Sequence, residues 1–567
     1  MLNKILYYYK KEKKLLAYFL VSSFIVTALD LYSPIVVQEL VDKTIPNKDM
    51  GLFFKFSILL LGIYIVRLIV SLYSSSRGQL MGNRIKFLMR NDLIEKILNQ
   101  SSKFFYERQS GDIISRVTND LENTSALLYR GLEDFLFSIL SIVGAFTLMM
   151  KFNVKLTILT MIPLPFAVYF TIYQNRKLKN GYVEVRNNMS KLTSEVHDTL
   201  KTIFFIKDNV LENKKVCTFE LKNKELLEVE TKNIFNISAL MSGINFYNQI
   251  TQLIVIFVGG YFHIKGEISF GIILSFILLT NRFRIYLLRL MGLIDTFQRG
   301  ATGIKRFLEI MDIQDEDIGK IHIKNRIEKI EFDSVGFSYN GNRILKGLSL
   351  KVKRGEKIAF VGESGVGKTT LISLLKRSFI QESGSIKIND NRIEFMKKDS
   401  YLNRVGVVDQ NEHIMNMSLL ENITVVKKDY SEDELKRAIK LSGLEEVVEN
   451  LSDKLDTHLG EKGIALSSGQ KQRVALARLF LKDPDVIILD EATSALDNIL
   501  ESKIITNINE EFKDRIVISV AHRLNTLKNY DRIFVLGKNG IKEQGSFSEL
   551  LNYRGEFYKM YMGDEKA

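Results

Sequence analysis

One cysteine, Cys217, stands in a chain of 567 residues. It has no internal partner, which excludes a disulfide-stapled secreted framework and fits a reducing compartment or a membrane protein whose bulk is cytoplasmic. Internal repeats and low-complexity tracts are also lacking, so nothing in the pattern suggests a repeat array or an extended linker. Acidic residues are the minority charge: 66 Asp and Glu against 79 Lys and Arg leave a formal charge of +13. Such an excess suits a nucleic-acid partner or basic loops held against an anionic membrane face, and the placement of the cations must decide. Mean composition does not discriminate, because 46% hydrophobic and 26% charged residues are ordinary for a globular protein. The length predicts at least two large parts, so segregation along the chain is the informative feature.

The first half is segregated. Nearly continuous apolar runs cover Leu15 to Val37, Ser57 to Tyr73, Phe135 to Met150, Leu156 to Tyr173, Phe246 to Phe262 and Ile268 to Leu288. Each approaches the ~20 residues a bilayer requires, which predicts six membrane helices. The first run follows Lys10, Lys11, Lys13 and Lys14 as a signal peptide would. It is too long and has no small-residue cleavage site, so it reads as a retained span. No cysteine-protease domain precedes the first run, so processing of a leader peptide by this chain is not expected.

Basic residues mark the cytoplasmic loops. Arg77, Arg84, Lys86, Arg90, Lys96, Lys103, Arg108 and Arg116 lie between the second and third runs, and Arg176, Lys177 and Lys179 follow the fourth. The alternate loops are short and hold few cations, so both termini are expected on the cytoplasmic side. Helical periodicity persists in the long loops, as at Leu93, Ile94, Ile97 and Leu98, and predicts that the spans continue beyond the bilayer. Ionisable residues also fall within the runs or at their ends: Asp30, Glu39, Arg67, Arg282, Arg284 and Arg289. Groups at that depth face a cavity or pair internally. An anionic or amphipathic cargo is one reading, and snorkelling to the headgroups or bridging between helices is the other, Arg289 being the best suited to it.

Beyond Arg299 the character changes. The stretch from Ile310 to Lys329 is charged, and after it short β-like strings alternate with helical stretches, the pattern of a soluble α/β domain. The expected division is residues 1–311 for the membrane part, 312–327 for a linker and 328–567 for the soluble part.

In the soluble part, Gly362-Glu363-Ser364-Gly365-Val366-Gly367-Lys368-Thr369 follows the apolar string Ile358 to Val361 and precedes Thr370 to Leu375. A strand, a glycine loop and a helix start make a phosphate cradle. Backbone N–H groups converge on phosphate oxygens, Lys368 neutralises the outer phosphates, and the Thr369 hydroxyl can ligate Mg²⁺. A second strand, Val486 to Leu489, delivers Asp490 and Glu491. Asp490 suits a Mg²⁺ ligand, and Glu491 suits a base for the attacking water. Alone the two acids could be solvated loop charges, but with the glycine loop they point to NTP hydrolysis.

Just ahead of that strand, Leu466-Ser467-Ser468-Gly469-Gln470 closely resembles the signature of ATP-binding cassette (ABC) proteins. Further residues fall in the family's order: Tyr339 for stacking on adenine, Gln410 as the loop glutamine, Ser494-Ala495-Leu496-Asp497 after the acids and His522 as the switch histidine. Gly111-Asp112-Ile113-Ile114-Ser115-Arg116 with Asn119-Asp120 looks like the first cytoplasmic coupling region of the exporter branch, and Glu461 is similar to its contact to the coupling helices. The resemblance covers the whole chain. It implies a six-helix transmembrane domain of the ABC exporter type followed by an α/β P-loop ATPase of the ABC type, using ATP and Mg²⁺.

The family binds ATP between two ATPase domains, so the resemblance implies a second half-transporter chain. Leu466, Ser467, Ser468, Gly469 and Gln470 would act on the partner's ATP. His522 would hold the γ-phosphate, Gln410 and Asp490 with Thr369 would serve the metal, and Glu461 and Asp497 would lie between domains. Two departures stand out: Ser468 where glycine is usual, and Asp409 where proline usually precedes the loop glutamine. Neither removes a catalytic group, which favours two competent sites in a homodimer over a heterodimeric pair. A plasma- or inner-membrane location with the ATPase in the cytoplasm is implied. A nucleic-acid ATPase would share the catalytic motifs but has no use for the spans. Importers normally keep the ATPase on a separate chain.

Overall fold

The computed structural model describes residues 2–564 apart from 317–318, 340, 411, 461–462, 493–495, 522 and 539, and omits the side chains of 2, 3, 291, 498 and 564. Two compact units form. The first comprises Met1–Leu98 and Ser110–Ile313, and the second comprises Asn99–Gln109 and Gln314–Ala567.

The first unit is built from long helices: α1 Lys13–Thr44, α2 Met50–Leu98, α3 Ser110–Phe152, α4 Val154–Lys201, α5 Glu212–Ile264 and α6 Phe270–Met311. Among the described residues, five of these, all but α5, are long and apolar enough to cross a membrane. The sequence reading expects six spans. The difference lies at Phe246–Phe262 of α5, where Asn248, Gln249 and Gln252 interrupt the apolar run. At 1.5 Å per residue the 49 residues of α2 extend about 74 Å, more than twice a ~30 Å hydrocarbon core, so this helix projects well beyond a bilayer. Its outward Leu61, Leu68, Ile69 and Leu72 are each about 60% exposed, an apolar surface suited to lipid or to another protein and not to water.

Polar rungs fix the register of α1 against α6. Asp42 accepts hydrogen bonds from the Ser269 hydroxyl and from the Gly271 N–H, the latter at 2.8 Å. Ser275 donates to the Pro34 carbonyl at 2.7 Å, and Asp30 meets Arg282. Gly271 permits this approach, since a Cβ there would lie 2.6 Å from the Gln38 carbonyl oxygen. The Gly111–Asp120 region opens α3. Arg116 binds Asp112 at 2.9 Å and Glu309 of α6 at 3.2 Å, while Asp120 accepts from Arg306 at 3.2 Å. A Cβ at Gly303 would fall 2.4 Å from the Asp120 carbonyl oxygen, so the helices touch backbone to backbone.

The second unit has two sheets. β1 Lys329–Tyr339, β2 Asn342–Lys353, β4 Ser383–Ile388 and β5 Asn391–Arg392 form an antiparallel sheet in the order β2-β1-β4-β5, once β3 Lys357–Val361 is set aside. That β3 belongs to a six-stranded sheet with β6 Val405–Val408, β7 Val486–Asp490, β8 Ile516–Val520, β9 Arg532–Gly537 and β10 Gly540–Gly545, ordered β10-β9-β3-β8-β7-β6. Strands β9 to β6 run parallel and β10 pairs antiparallel to β9. All residues of β7 and β8 are buried, as parallel strands covered on both faces require. One core joins the sheets through Phe332, Leu350, Ile358, Phe360, Ile488 and Ile518. A second core lies under the helices of residues 419–481. Asn99–Gln109 groups with this unit and not with the helices that flank it in sequence. Asn99 accepts from the Glu316 N–H at 3.1 Å, and Tyr106 packs against Tyr339 and Phe379. Of the stretch 312–327, expected as a linker, 312–313 fall in the first unit and the remainder in the second.

Candidate active site

Parallel strands with one-sided loops gather functional groups at their carboxyl ends. Here β3, β6 and β7 each deliver one. Beyond β3, Gly362, Gly365 and Gly367 take φ of +150°, +83° and +108°. A Cβ on Gly362 would lie 2.6 Å from the Leu536 carbonyl oxygen, and one on Gly367 would lie 2.9 Å from the Leu345 side chain. No larger residue fits either position without displacing its neighbours. Val366 and Thr370 are buried and anchor the loop, leaving Glu363, Ser364, Gly365 and Thr369 exposed. Helix α7, Lys368–Leu375, begins immediately behind it.

Lys368 is only 8% exposed, and its ammonium donates to the carbonyl oxygens of Gly362 and, at 3.1 Å, Glu363. Burial lowers its pKa, and the charges of Glu491 and Asp490 oppose that shift. The acids therefore lie within electrostatic reach of the lysine. Asp490 closes the buried strand β7, with β6 on one side and β8 on the other. Glu491 follows at φ +51°, a left-handed conformation that a non-glycine residue adopts at some cost and that recurs at functional sites. Its N–H is held by the Val520 carbonyl at 3.1 Å.

Gln410 donates its side-chain amide to the Glu491 carboxylate at 2.7 Å, uniting the loop after β6 with the acids. The neighbouring Asp409 forms an ion pair with Lys376, at 2.8 Å, just past the end of α7. Its N–H donates to Glu412 at 2.7 Å. Burial pushes the Glu412 carboxyl up to about 7, although that N–H and Arg478, 3.9 Å away, favour the charged form. The residue that departs from the family pattern is thus a tie between the phosphate loop's helix and the glutamine loop.

The signature explains itself as a helix start. Leu466 is buried, Ser467 caps α8 (Ser468–Lys482), and Gln470 completes a reciprocal capping box at 2.9 Å. Ser467 and Ser468 are exposed. Among the described residues, no hydrogen bond or ion pair joins Gly362–Thr370 to Leu466–Gln470 within the chain. Gln472, farther along α8, donates to the Glu491 carbonyl at 3.4 Å. Asp497 caps the helix Asn498–Glu511 by accepting from the Leu500 N–H at 2.9 Å. Tyr339 is packed edge-on by Phe337 and Phe379, and the Tyr106 ring lies 5.5 Å from it at 30°.

Loop, acids and glutamine are thus brought together, and Tyr339 packs against the core that includes Val366 of the loop. His522, Glu461, Ser494 and Ala495 lie outside the described residues. Sequence reasoning missed Lys376, Gln472 and Tyr106. Asp409 standing in place of proline was a signal for Lys376, since an unexpected acid needs a cation, whereas nothing in the sequence marks Tyr106.

A glycine loop between a central parallel strand and a helix, with carboxylates at the end of a second strand, defines a P-loop ATPase, here in one chain with long apolar helices. Two family models match: the ABC transporter transmembrane region over residues 16–286 and the ABC transporter model over residues 345–494. The chain is 32% identical to an uncharacterized ABC transporter ATP-binding protein, YwjA, of Bacillus subtilis, over 99% of this chain and 98% of that one. It is 30% identical to an ATP-dependent lipid A-core flippase of Syntrophus aciditrophicus, over 91% and 86%. Identity is 31% to a putative multidrug export ATP-binding/permease protein of Staphylococcus aureus, over 99% of both chains. A solved bacterial Atm1-family ABC exporter with ATP bound shares the fold, with TM-score 0.83 and 21% identity over 97% of this chain and 98% of that one. The chain belongs to the ABC transporter family. It is a multi-pass membrane protein and an exporter half-transporter, in which an ATPase is coupled to transport.

Proposed function

We propose that two copies of this chain form an exporter that moves an amphipathic cargo across the plasma or inner membrane, with the ATPase units in the cytoplasm. The observation that carries the reading is the convergence of Lys368, Gln410 and Glu491 on one loop cluster, with the exposed signature serine making no contact to that loop in its own chain. A site that lacks its signature needs another chain. Sequence relatives named as exporters and a flippase support the direction of transport.

On this reading Gly362–Thr370 enclose the phosphates and Tyr339 carries the adenine. Lys368 exchanges its two carbonyl partners for phosphate oxygens. Glu491 orients the attacking water, and the Gln410 amide, bound to that carboxylate before nucleotide enters, holds it in place. Ser467 and Gly469 of the second copy approach the γ-phosphate, where a hydroxyl and a close backbone N–H stabilise developing charge. His522 is assigned to the γ-phosphate, and Glu461 and Asp497 to contacts between domains. Thr369, Asp490 and Gln410 offer hard oxygen donors, which fits Mg²⁺ carried on the phosphates and held by few protein groups. Bound there, Mg²⁺ neutralises phosphate charge. Closure of the paired units on ATP drives the helices from inward to outward facing, and hydrolysis resets them.

Cysteines test the pairing. In a Cys217→Ser, Glu491→Gln background, the double substitution Ser364→Cys and Ser467→Cys should yield an ATP-dependent disulfide between chains, seen as a covalent dimer on a non-reducing gel. Crosslinking within one chain only, or none with ATP bound, would overturn the shared site.

A further inference from the structure

Three side chains converge on one carboxylate inside the helical unit. Asp30 of α1 is 1% exposed. Arg67 of α2 reaches it with Nε and, at 3.3 Å, Nη2. Arg282 of α6 places Nη1 2.7 Å from Oδ1, and the Tyr286 hydroxyl donates to Oδ2 at 3.2 Å. The rungs between α1 and α6 locate the cluster. Asp42 caps the start of α6, and Asp30 lies back along α1 within the apolar run Leu15 to Val37, seven residues, roughly 10 Å at 1.5 Å per residue, from its nearer end. That is well inside a hydrocarbon core of ~30 Å.

The charges do not balance. Among the described residues, two guanidinium groups face this one carboxylate, with the Tyr286 hydroxyl as a further donor. Asp30 is fully enclosed, yet the Arg67 and Arg282 side chains remain 40% and 23% exposed. The contacts to Asp30 use three of the six guanidinium nitrogens. A helix tie alone would need a single arginine. The other arginines of α6 have different settings: Arg284 is held by the Asn245 and Asn281 amides, and Arg289 lies 3.9 Å from Asp134 and over the Tyr286 ring. On α3, which packs against α1 and α6, the Ser138 and Ser141 hydroxyls are buried without a partner, and Phe137 beside them clusters with Val26 and Tyr286. Unspent donors at such depth are costly unless an acceptor reaches them.

We propose that Arg67 and Arg282, oriented by Asp30 and Tyr286, form a cargo-anchoring site for the single negative headgroup of an amphiphile, a phosphate or a carboxylate on an alkyl chain. Asp30 splays the two guanidiniums and cancels one charge, so that one anion is held and can still be released. This rests on the exporter reading and names its cargo class.

The test uses the full chain in phosphatidylcholine nanodiscs, with ATP hydrolysis as readout and sub-micellar dodecyl phosphate as probe. Dodecyltrimethylammonium and dodecyl maltoside are the cationic and neutral comparisons. Dodecyl phosphate alone should change the rate saturably. Arg67→Gln and Arg282→Gln should each raise its half-saturating concentration about tenfold, the effect of losing one charge-assisted pair. Arg282→Lys should retain most of the response, and Asp30→Asn, which leaves two positive charges, should shift it to lower concentration. Arg299→Gln, in an exposed pair with Asp295, should behave as the parent. Nanodiscs containing phosphatidylglycerol separate the sources: a raised rate without added amphiphile assigns the anion to a bilayer lipid, and no such rise assigns it to a free amphiphile. Equal responses to all three amphiphiles, or arginine variants that shift nothing, would reduce the cluster to a tie between helices. Absence of hydrolysis sensitive to Glu491→Gln would instead sink the two-copy reading on which the cargo site rests.

Discussion

Lys368 and Asp30 are both buried charges, and the two units treat them differently. In the ATPase unit the ammonium of Lys368 rests on two backbone carbonyls, neutral partners that a phosphate can replace with little rearrangement. In the helical unit Asp30 is bound by two charged arginines and a tyrosine, partners that nothing is expected to displace. The first arrangement holds a charge ready for exchange. The second spends the acid permanently and leaves a positive charge over, so the exchangeable group is the arginine side.

Perturbations can sharpen that contrast, beginning with the largest. Lys368→Ala should abolish nucleotide binding, read by loss of labelled ATP retention, while the unit stays folded because its lysine bonds only its own loop. Retained binding would break the account of the carbonyls as placeholders. Next, Gly271→Leu should separate α1 from α6, since even a Cβ meets the Gln38 carbonyl at 2.6 Å. Overpacking of this kind costs about 1–3 kcal/mol, visible as a lower melting temperature in detergent. The Asp30 cluster should loosen with it.

A pH effect follows from Glu412. Its folded value, about 7, lies above the ordinary carboxylate range, so the folded protein binds the extra proton between roughly pH 4.5 and 7. Stability from this group is therefore present at the acid side of the window and lost as pH rises through 7. Glu412→Gln should remove that slope, most simply measured as melting temperature against pH for parent and variant. Identical slopes would contradict the burial argument. The smallest effect is expected from Lys376→Met. The pair with Asp409 is partly exposed, so stability should change by less than about 1 kcal/mol, with a two- to fivefold loss of hydrolysis as Gln410 loosens.

The motifs of the ATPase unit were legible because they are contiguous. Glycines at fixed offsets, an acid pair at a strand end and a capped helix start depend on local geometry, which a sequence displays directly. The strand order is not local, nor is the packing of Tyr106 on Tyr339, which brings together residues from distant parts of the chain. The charges of the helical unit could be flagged by depth, but Asp30 and Arg282 are 252 positions apart, and no local rule pairs them. The α5 span was anticipated from its aliphatic residues, and its amides place it below the other five. Glu461 and His522 stand as expectations from the family pattern alone.

Hydrolysis by the purified chain alone in lipid bilayers tests the central claim most directly. The parent should turn over ATP without a second kind of subunit, and Glu491→Gln should reduce the rate at least about 10²-fold while ATP binding persists. Turnover that survives the substitution would contradict the role given to Glu491. A folded parent that binds ATP and never hydrolyses it would contradict the homodimer.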